Sequence, residues 1–149
     1  MSRYLAALIG LLFSFNVAAQ VFDVQGLSAS WYDPAVNGSG VFVDGYPSGR
    51  HDEVAAGWYV YDARGRQYWL LCTGRLIDGW GALTCITTLG EWGSAIDPAA
   101  DIFPAGTVLL EFHDCASATW EYLIEVPGGG MQAGSLALQR LSPAPAGCR

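Results

Sequence analysis

The chain has 149 residues, seven Lys+Arg against fourteen Asp+Glu, and a formal charge of −7. Every basic residue is an arginine and none cluster, so the cation density that neutralises a phosphate backbone or docks on an anionic bilayer is missing. Nucleic acid and a membrane surface are therefore poor partners, and neutral or cationic ones remain open.

Residues 1–19 read as a cleaved secretory signal. Arg3 supplies the positive start, Leu5 to Val17 the short apolar run, and Val17-Ala18-Ala19 the small residues at a cleavage site near Ala19. The run is too short to span a bilayer. The expected mature chain, residues 20–149, is one domain of a size that buries a real core, with six arginines against fourteen acids, or −8. Export predicts a secreted or periplasmic location, with no membrane attachment of the mature form.

Past the signal no helical periodicity of useful length occurs, while β-prone runs recur between turn signals. The predicted strands are Leu27–Tyr32, Gly40–Gly45, Val54–Asp62, Arg66–Arg75, Trp80–Leu89, Thr107–His113, Ala118–Val126 and Gly134–Leu141. Asp33-Pro34 and Asn37-Gly38 punctuate the first junction, Asp62-Ala63-Arg64-Gly65 suits a type I turn, and Gly128-Gly129-Gly130 loosens the last. Short connections imply an antiparallel up-and-down meander. The fold class is all-β, closing into a small barrel that removes exposed edges, with a two-sheet sandwich as the alternative. Gly90–Gly106, holding Pro98 and Pro104, is the longest stretch without a strand pattern and is expected to be an irregular loop.

Cys72, Cys85, Cys115 and Cys148 make an even set, which in an oxidising compartment reads as two disulfides. Asp78-Gly79 is a strong two-residue hairpin turn. Counting outward from it sets Cys72 opposite Cys85 at a non-hydrogen-bonded position, where Cα atoms come to roughly 4.5 Å. Cys115 and Cys148 are left to pair. Their loop is the longer, so in the chain-entropy model the tail disulfide contributes more stability. No CxxC spacing is present, and no metal site is expected.

Strand alternation also assigns faces. If Asp62 and Arg66 close a hairpin around Ala63-Arg64-Gly65, then Trp58, Val60, Tyr68, Leu70, Cys72, Leu83 and Cys85 share the core face. Tyr59, Tyr61, Gln67, Trp69, Leu71, Thr73, Thr84 and Ile86 share the other. Likewise Val108, Leu110 and Phe112 meet Trp120, Tyr122 and Ile124, which leaves Glu111, His113, Thr119 and Glu121 on a wet face.

The ordered motifs Trp31-Tyr32-Asp33-Pro34, Asn37-Gly38-Ser39-Gly40, Trp58-Tyr59-Val60-Tyr61-Asp62 and Gly65 with Trp69-Leu70 resemble a group of small exported bacterial β domains of undetermined function. The likeness continues through Phe112-His113-Asp114-Cys115 and Gly134-Ser135-Leu136 to Arg140-Leu141 and Cys148. Ser39 stands where that group commonly carries an acid. The resemblance implies an exported module, found alone or appended to secreted enzymes, and transfers no catalytic residue. The opening Trp-Tyr before a meander is also similar to avidin-type barrels in shape, without their ligand-contacting pattern.

Sixteen aromatics stay in the mature chain once Tyr4, Phe13 and Phe15 leave with the signal. Flat rings stack on sugars and fill pockets, but they also fill β cores. The row Tyr59, Tyr61 and Trp69 is the candidate ligand-binding set, since its face carries the hydrogen-bonding groups Gln67, Thr73 and Thr84. Glu111, Glu121 and His113 offer the residue types for hydrolysis, which needs two carboxylates at a set separation, but a solvated polar face is much the better account of them. Asp97 and Asp101 lack calcium-loop spacing, His51 reads as a surface residue, and no Ser-His-Asp motif, phosphate loop or HExxH occurs. The expected function is a binding or interaction module for a carbohydrate or small apolar molecule, with no cofactor and no catalytic residue assigned. The alternatives are an accessory protein for a larger exported partner and, last, a hydrolase.

Overall fold

A computed structural model describes residues 23–62, 64–88, 95, 97, 101–126 and 130–148. Eight strands follow one another around a closed antiparallel barrel: β1 (Ala29–Tyr32), β2 (Gly40–Ser48), β3 (His51–Tyr61), β4 (Gln67–Leu76), β5 (Trp80–Thr88), β6 (Ile102–Phe112), β7 (Ser117–Val126) and β8 (Gly130–Arg140). The meander is thus the observed topology, and the sandwich alternative does not apply.

The registers follow the turns. Asp78 and Gly79 both take positive φ, 51° and 81°, and Ile77 and Trp80 exchange both backbone hydrogen bonds across them. That count brings Cys72 opposite Cys85, and the two are bonded with Cα atoms 4.0 Å apart; Cys115 and Cys148 form the second disulfide at 6.0 Å. At the β3–β4 turn the Asp62 N–H donates to the Arg66 carbonyl, placing Trp58 opposite Leu70 and Tyr59 opposite Trp69. Trp58, Tyr68, Leu70, Leu83 and both cysteines of the first disulfide are buried, joined from β6 to β8 by Val108, Leu110, Phe112, Trp120, Ile124 and Leu138. Two disulfides suit an oxidising compartment.

Several element boundaries differ from expectation. Val24–Leu27 form a 3-10 turn, started by Asp23 accepting the Gln25 N–H, so β1 begins only at Ala29. β2 and β3 extend to Ser48 and back from His51 around Gly49, whose φ of 65° a glycine takes without strain. The expected loop Gly90–Gly106 is shorter than its prolines suggest, because β6 starts at Ile102. Pro104 is accommodated at a bulge: Cys85 faces Gly106 and Ile86 faces Pro104, leaving Ala105 as the extra residue. Most of the rest of that segment, with Pro98, lies outside the described residues, as do Ala63, Gly128 and Gly129 and the signal segment. β8 begins at Gly130, ahead of the expected Gly134.

The barrel's two ends are unlike. At one, the 3-10 turn folds over the core: Leu27 is fully buried, and the Trp31 Nε1–H donates to its carbonyl at 3.2 Å. Arg140 binds this end together. Its guanidinium donates to the carbonyls of Gly26 (2.7 Å), Ser28 (3.0 Å) and Cys115 (3.4 Å) and stacks over Trp31. The Cys115–Cys148 disulfide holds the tail to the same end. Nearby, the Asp114 carboxylate closes the β6–β7 turn by accepting the Ala116 and Ser117 N–H groups at 2.7 Å each.

These amide donors, Ala116 first, hold the Asp114 carboxyl below its ordinary value against the opposing effect of desolvation. A depressed folded pKa means stability that is present above the unfolded carboxylate pKa and lost as pH falls through the folded one. Asp114→Asn is expected to cost about 1 kcal/mol at neutral pH, allowing for solvent screening of an exposed group. The deficit should shrink below about pH 4. Urea unfolding of both proteins across pH 2–7 measures it, and a deficit constant with pH would show that the charge plays no part.

Candidate functional site

All six residues of the expected binding set lie on the outer face of the barrel, as the alternation requires, but they do not converge. Tyr59 and Trp69 are opposite each other with ring centroids 5.5 Å apart, Tyr61 pairs with Gln67 at the strand ends, and Thr73 pairs with Thr84 further along. Phe42 on β2, which the alternation argument did not reach, completes an aromatic triad: its ring is nearly parallel to Trp69 (10°, 6.3 Å) and 5.7 Å from Tyr59. The rings gather where glycines leave room. Trp69 leans over Gly57, and Tyr59 lies across Gly40, where a Cβ would run into the phenol. Trp69 is 52% exposed and Tyr61 47%. The triad is a convex patch beside a shallow hollow of about 180 Å³ bordered by Leu71, Ile86 and Thr88, not an enclosed pocket.

Glu111 and Glu121 also face outward and exposed, and His113 shares a 2.8 Å hydrogen bond with Thr119. Among the described residues no group of three His, Cys, Asp or Glu could hold a metal ion.

The concave site is at the barrel's other end, opposite the 3-10 turn. A cavity of about 190 Å³ has Trp58, Tyr122 and Leu136 in its walls, with Val60 and Ile124 above them. Its rim is mainly polar and comes from the β1–β2 loop (Asn37 and Ser39, with the apolar Val36), β3 (Tyr61) and β8 (Gln132). Ser39 is held by its hydroxyl donating to the Tyr59 carbonyl at 3.1 Å. Beside the rim, desolvation acts to raise the Asp62 pKa, but the backbone and side chain of Arg66 outweigh it and keep the carboxyl ionised below its usual range.

The aromatic wall has a polar anomaly. Trp58 is 2% exposed, 4.9 Å from Tyr122 and 5.6 Å from Trp120, and neither indole N–H of the two tryptophans has an acceptor among the described residues. Buried tryptophan N–H groups normally find a partner, and an unmade buried bond costs about 1–3 kcal/mol. The edge-to-face contact can absorb at most one of the two weakly. Trp58 lines the cavity with its ring, while its Nε1 is closed off from solvent, so an acceptor reaches the donor only where the wall beside it parts.

Sequence reasoning put Trp58 and Tyr122 in the core and so passed over them as site residues. One signal was available: Gln132 stands on the inward parity of Gly134, Leu136 and Leu138, a polar group where a filled core would place an apolar one. No family model matches the chain, and the curated proteins and the solved structures likewise hold no match.

Proposed function

We propose that this protein is an exported binding module whose site is the cavity at the barrel mouth. It takes a small ligand, or the protruding end of a larger one, that offers a flat apolar face to Tyr122 and Trp58 and a hydrogen-bond acceptor to the Trp58 Nε1–H. The observation that carries this reading is a cavity with aromatic and aliphatic walls and a mainly polar rim, one of whose wall residues, Trp58, holds a buried indole donor with no acceptor among the described residues. Small-molecule sites have this makeup. The volume is below the roughly 300–1,000 Å³ of drug-sized sites, which limits the inserted group to about one ring. A sugar ring or an aromatic amide meets those conditions. Export rests on the signal-like residues 1–19, the paired cysteines and the resemblance to small exported β domains.

The outer triad of Phe42, Tyr59 and Trp69 is the competing site, favoured by its exposure. A thermal-shift screen of monosaccharides, disaccharides and single-ring aromatic amides on the oxidised protein separates the two. Trp58→Phe keeps a ring and removes the N–H, so affinity for any hit should fall roughly tenfold, the effect of a lost hydrogen bond. Hits that survive Trp58→Phe but vanish in Trp69→Ala would move the site to the outer face, and a screen with no hits would count against small-ligand binding.

A further inference from the structure

The barrel is closed by its weakest seam, and that seam opens at the mouth. β8 pairs with β7 from Gly130 to Gln139, yet meets β1 only at Trp31 opposite Arg140 and Tyr32 opposite Gln139. The seam bonds reveal the parity of β8. The Leu141 N–H donates to the Ser30 carbonyl and the Ala137 N–H to the Asp33 carboxylate, both at 2.9 Å, whereas the Arg140 N–H turns the other way to Ala116. Odd-numbered residues of β8 therefore aim their backbone groups at the seam. Continuing the alternation, the N–H and C=O groups of Met131, Ala133 and Ser135 face the same edge, and no described residue pairs with them.

Such an edge is normally guarded by lysine, proline, inward charges or a bulge. Here the segment Gly130–Gln139 contains no charged residue and no proline. It also runs between two depressions. Inward-facing Gln132 and Leu136 belong to the mouth cavity, while outward-facing Ala133 and Ser135 border a shallow groove of about 420 Å³ with Leu109 and Leu123. Gly134 adds an opening: Tyr122 lies against it, where a Cβ would collide, and the glycine stays exposed.

We infer that the free edge of β8 accepts an extended polypeptide strand of neutral to basic character, which pairs with Met131, Ala133 and Ser135 and places an apolar side chain in the mouth cavity. This rests on the proposed function in taking the mouth as the site, and it names a polypeptide as the partner. Strand addition supplies main-chain bonds for affinity and alternating side-chain pockets for specificity, and both are laid out along this edge. The sign of the partner's charge follows from Glu121 opposite Ser135 and Glu125 opposite Met131 on the neighbouring strand. Arg140, the one cation of β8, is committed to carbonyls at the far end. A second copy of this chain would bring the same acids to the junction, so like charges disfavour self-pairing.

The probes are blocked seven-residue peptides alternating lysine with valine, one valine in each replaced in turn by phenylalanine, titrated into the isotope-labelled oxidised protein. Binding should slow hydrogen exchange at the amides of Met131, Ala133 and Ser135. Methylating the peptide nitrogens on the face that pairs should weaken binding at least tenfold, and methylating the opposite set should not. Ala133→Pro removes only an edge-facing N–H, which β7 does not use, and should abolish peptide binding while sparing a single-ring ligand of the cavity. Should that variant fold poorly, the methylated peptides make the same test on the unaltered protein. The inference is overturned if no peptide binds, if binding leaves those amides unprotected, if methylation on either face is equivalent, or if sedimentation shows β8 already buried in a dimer. Loss of ring binding in Trp58→Phe with peptide binding intact would instead separate the cavity's small-ligand role from the strand site.

Discussion

Trp58→Ala should lower the unfolding free energy by about 3–5 kcal/mol, the range for removing a large aromatic from a core. Trp69→Ala should cost clearly less. Trp58 is at the centre of the inward cluster, between Trp120 and Tyr122, whereas Trp69 is half in solvent and touches Tyr59 and Phe42 on the outer sheet face. Two effects moderate the first figure. The mouth cavity already adjoins Trp58, so part of the vacated volume opens to solvent, and deleting the indole removes a buried donor without an acceptor. Urea denaturation of both variants measures the difference directly. If Trp69→Ala were the more destabilising, the outer triad would be a second core, and its exposure would be misleading as a sign of binding.

Removing the tail disulfide with Cys115→Ala and Cys148→Ala should cost about 3–4 kcal/mol in the chain-entropy model, for a sequence separation of 33. The hairpin disulfide, at a separation of 13, comes to about 3 kcal/mol on the same reasoning. Loop length alone therefore ranks the tail first. Burial changes the comparison, because alanine leaves a void worth on the order of 1 kcal/mol for each enclosed sulfur, two in the hairpin pair and one, Cys115, in the tail pair, which brings both to about 4–5 kcal/mol. The alanine variants should consequently come out nearly level. The two cross-links differ more clearly in where their loss is felt. Without Cys115–Cys148, hydrogen exchange should rise at Val24–Leu27 and around Arg140, since tail, 3-10 turn and guanidinium are joined there. Without Cys72–Cys85 the change should stay within β4 and β5. A tail variant whose exchange rises only after Pro143 would show that Arg140 alone secures that end.

Local chemistry in the sequence determined most of the strand network. The Asp78-Gly79 turn, the Asp62–Arg66 closure and the period-two alternation specify registers within hairpins, because a turn of known length leaves one way to pair the flanking residues. From these alone came the first disulfide, the core face with Trp58 and Leu70, the outer face with Tyr59 and Trp69, and the second disulfide by elimination. Pro104 hid the start of β6 because a proline in a strand is tolerated only beside an irregularity, and the bulge at Ala105 arises from pairing with β5. Closure was a tertiary decision: β1 is far from β8 in sequence, and no turn dictates how many residues the seam will use. So was the contrast between the end covered by the 3-10 turn and the cavity left at the other end among the described residues, since it depends on which segments fold over the barrel. Alternation assigns a residue to a face but is silent on whether the space above it is filled. For that reason Trp58 read as core, and only the packed barrel brings its ring, the cavity it lines and the stretch of β8 left unpaired among the described residues into one place.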